Sequence, residues 1–380
     1  MQMAATNPHY DYLIVGSGLF GAVFAYEATR AGKKCLVIDK RNHLGGNVYC
    51  ENIADINVHV YGPHIFHTNS KRIWDYVNQF TTFNRFTNSP LANYYGELFN
   101  LPINMNTFYQ FWKITSPTEA RQKISDQISK LPFKKAGNLQ EQALLMVGPE
   151  IYEKLIRHYT EKQWGRDATR LPASIIKRLP VRYNYDNCYF DDTYQGVPVG
   201  GYNKLVAKLL AGIDFKTGVD FNTNRYELTA LAKKVIYTGA IDAYFDHSHG
   251  HLEYRSLQFK TEVLDMENFQ GNAVVNYCDP KSKFTRIVEH KHFEFGRQSK
   301  TVITREYPVM ADKNVEPYYP INDDRNNAIL KKYQTMAAQN HNVVFGGRLA
   351  EYKYYDMHQV IASALKVCNR ELYTAFEVEV

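Results

Sequence analysis

The residues best suited to chemistry come early in the chain. Gly16-x-Gly18-x-x-Gly21 follows the apolar run Tyr12 to Val15 and opens a helical stretch. Gly16 permits a tight turn out of a strand, Gly18 lets the backbone approach a pyrophosphate, and Gly21 lets a helix pack on a sheet. The phosphates then meet free N–H groups at the helix N-terminus. Asp39 closes the next apolar run, Lys33 to Asp39, where a carboxylate accepts a hydrogen bond from a ribose hydroxyl. Strand, glycine turn, helix, second strand and acid together predict a dinucleotide site. Lys40 and Arg41 follow, then Gly45-Gly46-Asn47. A nicotinamide site does not need a second glycine pair just after the ribose acid. FAD proteins commonly have one, which favours FAD. Gly346-Gly347-Arg348 precedes the last helix, whose start near Asp356 could face the flavin pyrimidine edge, where negative charge gathers on reduction. A glycine pair that simply ends a strand reads the same way.

A second set is aromatic and basic. Tyr61-Gly62-Pro63-His64-Ile65-Phe66-His67-Thr68 holds two histidines, but no further ligand follows at metal-like spacing, so no metal is expected. Two roles stay open for His64 and His67: packing in a turn near the cofactor, or relaying a proton. Tyr159 and Trp164 end a helical stretch and offer either interface packing or a stacking surface for a base or sugar. Arg178 and Arg182 flank Pro180, and Arg286 follows Phe284-Thr285 on a strand. Guanidinium forks match phosphate geometry, although a single Arg also serves as a surface charge. Pro317-Tyr318-Tyr319-Pro320 and Tyr352-Lys353-Tyr354-Tyr355-Asp356 add phenols. Composition does not say which of these converge.

Three kinds of element must position these groups. The first is a βαβ unit through Asp39, joined by a later apolar strand, Lys234 to Gly239, and by a strand, glycine turn and helix at the C-terminal end. The second is helical: segments 104–114, 117–131 and 139–163, with Ser116-Pro117-Thr118-Glu119 and Asn138 to Glu141 reading as N-terminal caps. The third is a series of short strands, YNYDNCYF, LQFKTEVL, NAVVNYC, FTRIVEH and TVITREY, which predict a largely antiparallel sheet. The expected fold is α/β: a discontinuous Rossmann-like FAD-binding domain (1–87, 200–245 and 330–380), an inserted helical domain (104–178) and an antiparallel β-sheet domain (88–103, 179–199 and 246–329).

Composition excludes several classes. At 380 residues and 44% apolar, the chain is long enough for a sizeable core and is not wholly disordered. A net charge of +6 without a Lys/Arg run gives no nucleic-acid footprint and suits an anionic small molecule. Tyr at 29 residues is high and suits a polar cleft. Five scattered cysteines argue against a disulfide framework and for a reducing compartment. The N-terminal stretch lacks a signal-peptide pattern and no apolar stretch is long enough to span a membrane, so a cytoplasmic protein is expected.

The stretches DYLIVGSGLFGAVFA, DKRNHLGGNVY, YGPHIFHT, HYTEKQWG, IIKRLPVR, EPYYPIN and GGRLAEYKYYDMHQVI, running from residue 11 to 361, resemble the bacterial UDP-galactopyranose mutase family. YGPHIFHT and YTxKQWG are far more particular than a glycine loop. The resemblance implies an isomerase that interconverts UDP-galactopyranose and UDP-galactofuranose. It acts through a covalent bond between the anomeric carbon and N5 of reduced FAD, without net redox change, and supplies galactofuranose-containing cell-surface glycans. By motif position, Arg178 and Arg286 correspond to diphosphate clamps. Tyr189, Tyr319 and Tyr354 correspond to phosphate donors, Tyr159 to the uracil-stacking position and Trp164 to one near the sugar. Asn88, Asn276 and Asp356 match polar substrate contacts, and His67 lies where the family keeps a residue beside the flavin. Gly16, Gly18, Gly21, Gly46, Phe20, Asp39, Lys40, Asn47, His64, Ile65, Arg348 and Met357 fall in FAD-contacting stretches. The family also implies a homodimer, a reductant such as NAD(P)H and a mobile lid between Gly165 and Pro180. A net-redox flavoprotein, a non-catalytic binding module and a mutase for the N-acetylated sugar are the rival readings.

Overall fold

The computed structural model describes residues 9–311 and 315–373, and for Arg178 the backbone alone. Among these residues, a five-stranded parallel sheet runs in the order Val343–Phe345, Ala232–Tyr237, Tyr10–Val15, Cys35–Asp39 and Asp214–Thr217. Ile14 pairs with Ile236 on one side and Val37 on the other. Every residue of Cys35–Asp39 is buried, as expected of a strand covered on both faces. The crossover helix Leu19–Arg30 packs against the late helix Met357–Tyr373 through Phe20, Phe24, Ile361 and Ala364. The sheet therefore draws strands from both ends of the chain.

The second sheet has seven strands: Tyr319–Pro320, Tyr254–Leu264, Thr301–Met310, Arg286–Glu289, Val274–Tyr277, Leu91–Tyr94 and Glu97–Asn100, in that order. All its pairings are antiparallel except Val274–Tyr277 with Leu91–Tyr94. The predicted strands LQFKTEVL, NAVVNYC, FTRIVEH and TVITREY all lie in it. YNYDNCYF does not form a strand. Its polar backbone is taken up by other partners: Tyr189 N donates to Asn88 O, and Asn104 Nδ2 donates to Asp186 O.

The helices Met105–Trp112, Pro117–Ser129, Leu139–Ile151 and His158–Trp164 form the third region. Ser116 Oγ accepts from Glu119 N and Asn138 Oδ1 from Glu141 N, so both expected caps form. The run expected as one helix over 139–163 is interrupted. Gly148 adopts φ +74 ahead of Pro149, which has no N–H to give, and a π turn over Tyr152–Arg157 follows. No helix among the described residues is long and apolar enough to cross a membrane.

Candidate active site

A cavity of about 1870 Å³ opens at the carboxyl ends of the parallel strands and extends to the seven-stranded sheet. Pockets for one drug-sized ligand measure roughly 300–1,000 Å³, so this one has room for two. Of the site residues predicted above whose side chains are described, all line it except Gly21. Gly21 faces the sheet instead: a Cβ there would lie 2.0 Å from Gly16 O, so its function is helix packing. The Arg178 side chain lies outside the described residues; its backbone ends the 3-10 turn Ala173–Arg178.

The glycine end is built by short polar ties. Asp39 is buried, and its Oδ2 accepts from Ser17 N and Ser17 Oγ at 2.8 and 2.6 Å. The acid at the strand end thus fixes the glycine turn itself. A Cβ on Gly18 would meet nothing nearer than Gly46 Cα at 3.9 Å, and no side chain caps the helix that begins at Leu19. The two glycine segments approach closely, since a Cβ on Gly46 would lie 2.9 Å from Gly18 Cα, and both line the cavity without side chains. Lys40 Nζ pairs with Glu316 at 2.8 Å, and Arg41 bridges Glu316 and Asn47 at 3.0 and 2.9 Å while lying over the Tyr61 ring. Gly346 serves packing: a Cβ there would lie 2.0 Å from the Phe20 ring.

The two histidines of YGPHIFHT go separate ways. His64 Nδ1 bonds Gly62 O at 2.7 Å, and burial pushes its imidazole down to about 4. His67 Nδ1 meets Asp192 Oδ2 at 2.5 Å, and its ring stacks on Phe190 at 3.8 Å. Folding also brings Asp356 and His358 to His67, with ligand atoms within 4.8 Å of one another, a proximity that spacing along the chain did not reveal.

At the far end, Asn276, Arg286 and Glu306 are paired residues on three successive strands, so their side chains share a face. Arg286 donates from Nε to the Glu306 carboxylate, which is fully buried. Burial opposes the guanidinium charge, but the Glu306 carboxylate outweighs it and holds Arg286 firmly protonated. Burial raises the phenols of Tyr159, Tyr189 and Tyr319, so all three remain hydrogen-bond donors. Tyr319 and Tyr354 stack at 5.4 Å, and the Arg348 guanidinium lies 5.5 and 5.1 Å from their ring centres. Arg348 Nε and Nη2 and Asn276 Oδ1 are buried without a hydrogen-bond partner among the described residues.

The helix that carries Tyr159 and Trp164 is docked by two cations. Lys162 Nζ donates to the carbonyls of Tyr277, Asp279 and Ser282 at 2.7, 2.9 and 2.9 Å. Arg255 Nε donates to Gln163 O at 2.9 Å at the helix C-terminus. Sequence reasoning missed Lys162, Glu306, Glu316 and Asp192, whose partners are distant in the chain. Glu306 alone left a signal, as an acid in an otherwise strand-forming run.

The chain is similar to several known proteins. Residues 154–354 match the UDP-galactopyranose mutase family model, and residues 14–80 match an NAD(P)-binding Rossmann-like domain. A dTDP-fucopyranose mutase of Escherichia coli is 40% identical over 93% of this chain and 96% of its own. A probable UDP-galactopyranose mutase of Klebsiella pneumoniae is 39% identical over 97% and 99%. A crystal structure of reduced UDP-galactopyranose mutase shares the fold, with a TM-score of 0.73 at 12% identity, covering 96% of this chain and 94% of that one.

Proposed function

Because the chain belongs to the UDP-galactopyranose mutase family of isomerases, we propose that it interconverts UDP-galactopyranose and UDP-galactofuranose with FAD held in the glycine cradle, and that it is active when the flavin is reduced. The observation that carries this reading is the continuity of one cavity from Gly18 and Gly46 to Arg286 and Tyr159. A dinucleotide cradle and an anion clamp thus open on the same space.

The residues suit FAD. The side-chain-free turn at Gly18 and the uncapped helix N-terminus accept a pyrophosphate, Asp39 and Lys40 flank the ribose position, and Arg348, whose Nε and Nη2 are buried without a hydrogen-bond partner among the described residues, suits the electron-rich edge of a flavin. Reduced FAD supplies a nucleophilic N5 for the sugar's anomeric carbon, so no Ser, Cys or Lys nucleophile is needed.

The protein's own contribution is to make the nucleotide leave and to keep it close. Arg286, with Arg178, neutralises charge that develops on the diphosphate, and Tyr189, Tyr319 and Tyr354 donate to its oxygens. Tyr159 stacks on the base and Trp164 on the sugar, while Asn88, Asn276 and Asp356 orient its hydroxyls. These contacts hold the anomeric carbon in place, converting a bimolecular attack into a positioned one. His67, fixed by Asp192, sits beside the flavin position. On this reading, the helical and sheet regions are insertions in the cofactor domain, and the product feeds galactofuranose-containing glycans.

The identity to the Escherichia coli relative favours a second substrate reading, dTDP-fucopyranose. The two substrates differ in a base methyl, a ribose hydroxyl and the sugar's sixth-carbon hydroxyl. Anaerobic incubation with UDP-galactofuranose and, separately, dTDP-fucopyranose, with and without dithionite, tests both. Ring interconversion of the uridine sugar after reduction supports the first reading, and turnover of the thymidine sugar alone supports the second. Bound flavin with conversion of neither rejects the mutase assignment.

A further inference from the structure

A second polar cluster takes no part in the chemistry above although it lines the same cavity, where the parallel sheet hands over to the antiparallel one. The segment after Ala232–Tyr237 forms the short helix Ile241–Tyr244 and then the turn His247-Ser248-His249-Gly250-His251, before the strand Tyr254–Leu264 begins. The turn is fixed from beneath by Tyr333, whose side chain is fully buried. Its hydroxyl accepts from His249 N at 2.9 Å and donates to Gly250 O at 2.7 Å. This tie turns His247 and His251 towards Asp242, with their rings 3.9 Å apart.

Asp242 is only 3% exposed. Its Oδ2 accepts from Leu252 N at 3.0 Å and meets His247 Nδ1 at 3.2 Å. Its Oδ1 is buried without a hydrogen-bond partner among the described residues. One ligand atom from each of Asp242, His247 and His251 lies within 4.8 Å of the others. An unpaired buried carboxylate oxygen is costly unless something satisfies it. Two imidazoles and a carboxylate are the donor set of a borderline transition-metal dication with an open position for water. Metal–ligand bonds of roughly 2.0–2.2 Å place neighbouring donors a little over 3 Å apart. The Asp242–His247 separation already meets that spacing. His251 is exposed, so a rotamer change can close the remainder.

We propose that Asp242, His247 and His251 form a transition-metal site, able to hold Zn2+, that clamps the connection between the two sheets. The cluster at His67 is a weaker candidate, because His67 Nδ1 is held at 2.5 Å by Asp192, which is not one of its three members, whereas His247 Nδ1 meets Asp242, a ligand of the proposed site.

The test is calorimetric titration of Zn2+ into tag-free, chelator-stripped holoprotein. One saturable equivalent is expected, with a rise in the melting temperature. His251→Ala should weaken binding at least tenfold, since even residues that only orient a ligand are worth roughly 10–100-fold. His247→Ala/His251→Ala should abolish both the binding and the thermal shift. Both rings are exposed, so these variants keep the core intact, and flavin content checks the fold. His358→Ala should leave the titration unchanged. No saturable binding to the wild type, or full binding by the double variant, would overturn the proposal. Loss of binding in His358→Ala alone would do the same and move the site to the His67 cluster.

Discussion

Arg286 and Glu306 sit directly opposite each other on adjacent antiparallel strands, and the arginine donates Nε to a carboxylate that has no exposure at all. The pairing fixes the plane of the guanidinium while its far edge faces the cavity. It also explains how a buried cation is kept charged before any anion arrives. Removing one member of such a pair leaves the other desolvated and alone.

Arg286→Lys should keep the charge but lose the fork. Lysine is a point donor and cannot bind both Glu306 and a phosphate through a planar fork. A charge-assisted contact is worth roughly 1.5–3 kcal/mol, so kcat/KM should fall about 10- to 150-fold in dithionite-reduced enzyme, with flavin content unchanged. Arg178→Ala should lower turnover more than tenfold by the same reasoning. Near-normal kinetics in either variant would remove that arginine from the site.

Arg348→Met tests the other end of the cavity. The guanidinium lies by the Tyr319 and Tyr354 rings and has two buried nitrogens without a hydrogen-bond partner among the described residues. If it faces the flavin edge where charge gathers on reduction, its loss should make the flavin midpoint potential more negative. A shift of 30 mV corresponds to about 1.4 kcal/mol for a two-electron couple. An unchanged potential with full flavin content would place Arg348 elsewhere.

Local signals carried four of the five strands of the parallel sheet, because each holds a short apolar run and the glycine turn has fixed spacing, whereas the edge strand Asp214–Thr217 is polar and largely exposed and left no such signal. The caps at Ser116 and Asn138 were equally legible, since a cap acts within four residues. YNYDNCYF misled because aromatic alternation marks a half-buried surface, and Tyr189 meets a cavity wall instead of a neighbouring strand. Lys162 and Asp192 were invisible for a different reason. Lys162 satisfies carbonyls more than a hundred positions away, and no spacing rule encodes that. The resemblance supplied Tyr189 and Asn276, which residue types alone did not single out.

The cysteines should be dispensable for turnover. Burial pushes Cys35, Cys50, Cys278 and Cys368 up to about 12, so none is a thiolate near neutral pH. Cys188 is half-buried, with its Sγ within 2.7 Å of Gln195 Nε2. Single Cys→Ala variants should keep kcat within about twofold, apart from any loss of stability from core volume. A folded, flavin-loaded variant without activity would contradict the assignment of the nucleophile to the cofactor.

Acid should loosen the contact between the segment His59 to His64 and the turn His290–Glu294 through a chain of neutral imidazoles. His64 N donates to His59 Nδ1 at 3.0 Å, and His59 N donates to His290 Nδ1 at 3.2 Å. Both accepting nitrogens must therefore be unprotonated, which leaves His290 Nε2 to donate to Thr304 Oγ1 at 2.7 Å. His59 and His290 are each 2% exposed. Burial lowers His290 to about 3 and His59 well below its ordinary value of 6.5. A ring with a depressed folded value binds its proton more readily in the unfolded chain. The stability gained from keeping it neutral is complete above pH 6.5, and it is lost as the pH falls towards the folded value. Each ring should cost roughly 1.4 kcal/mol per pH unit in that window. Urea unfolding of the holoprotein between pH 7.5 and 4.5 reads this slope. His290→Asn keeps an acceptor for His59 N but cannot titrate, so it should flatten the slope by about one proton. An unchanged slope would mean that protonation at other groups governs acid stability.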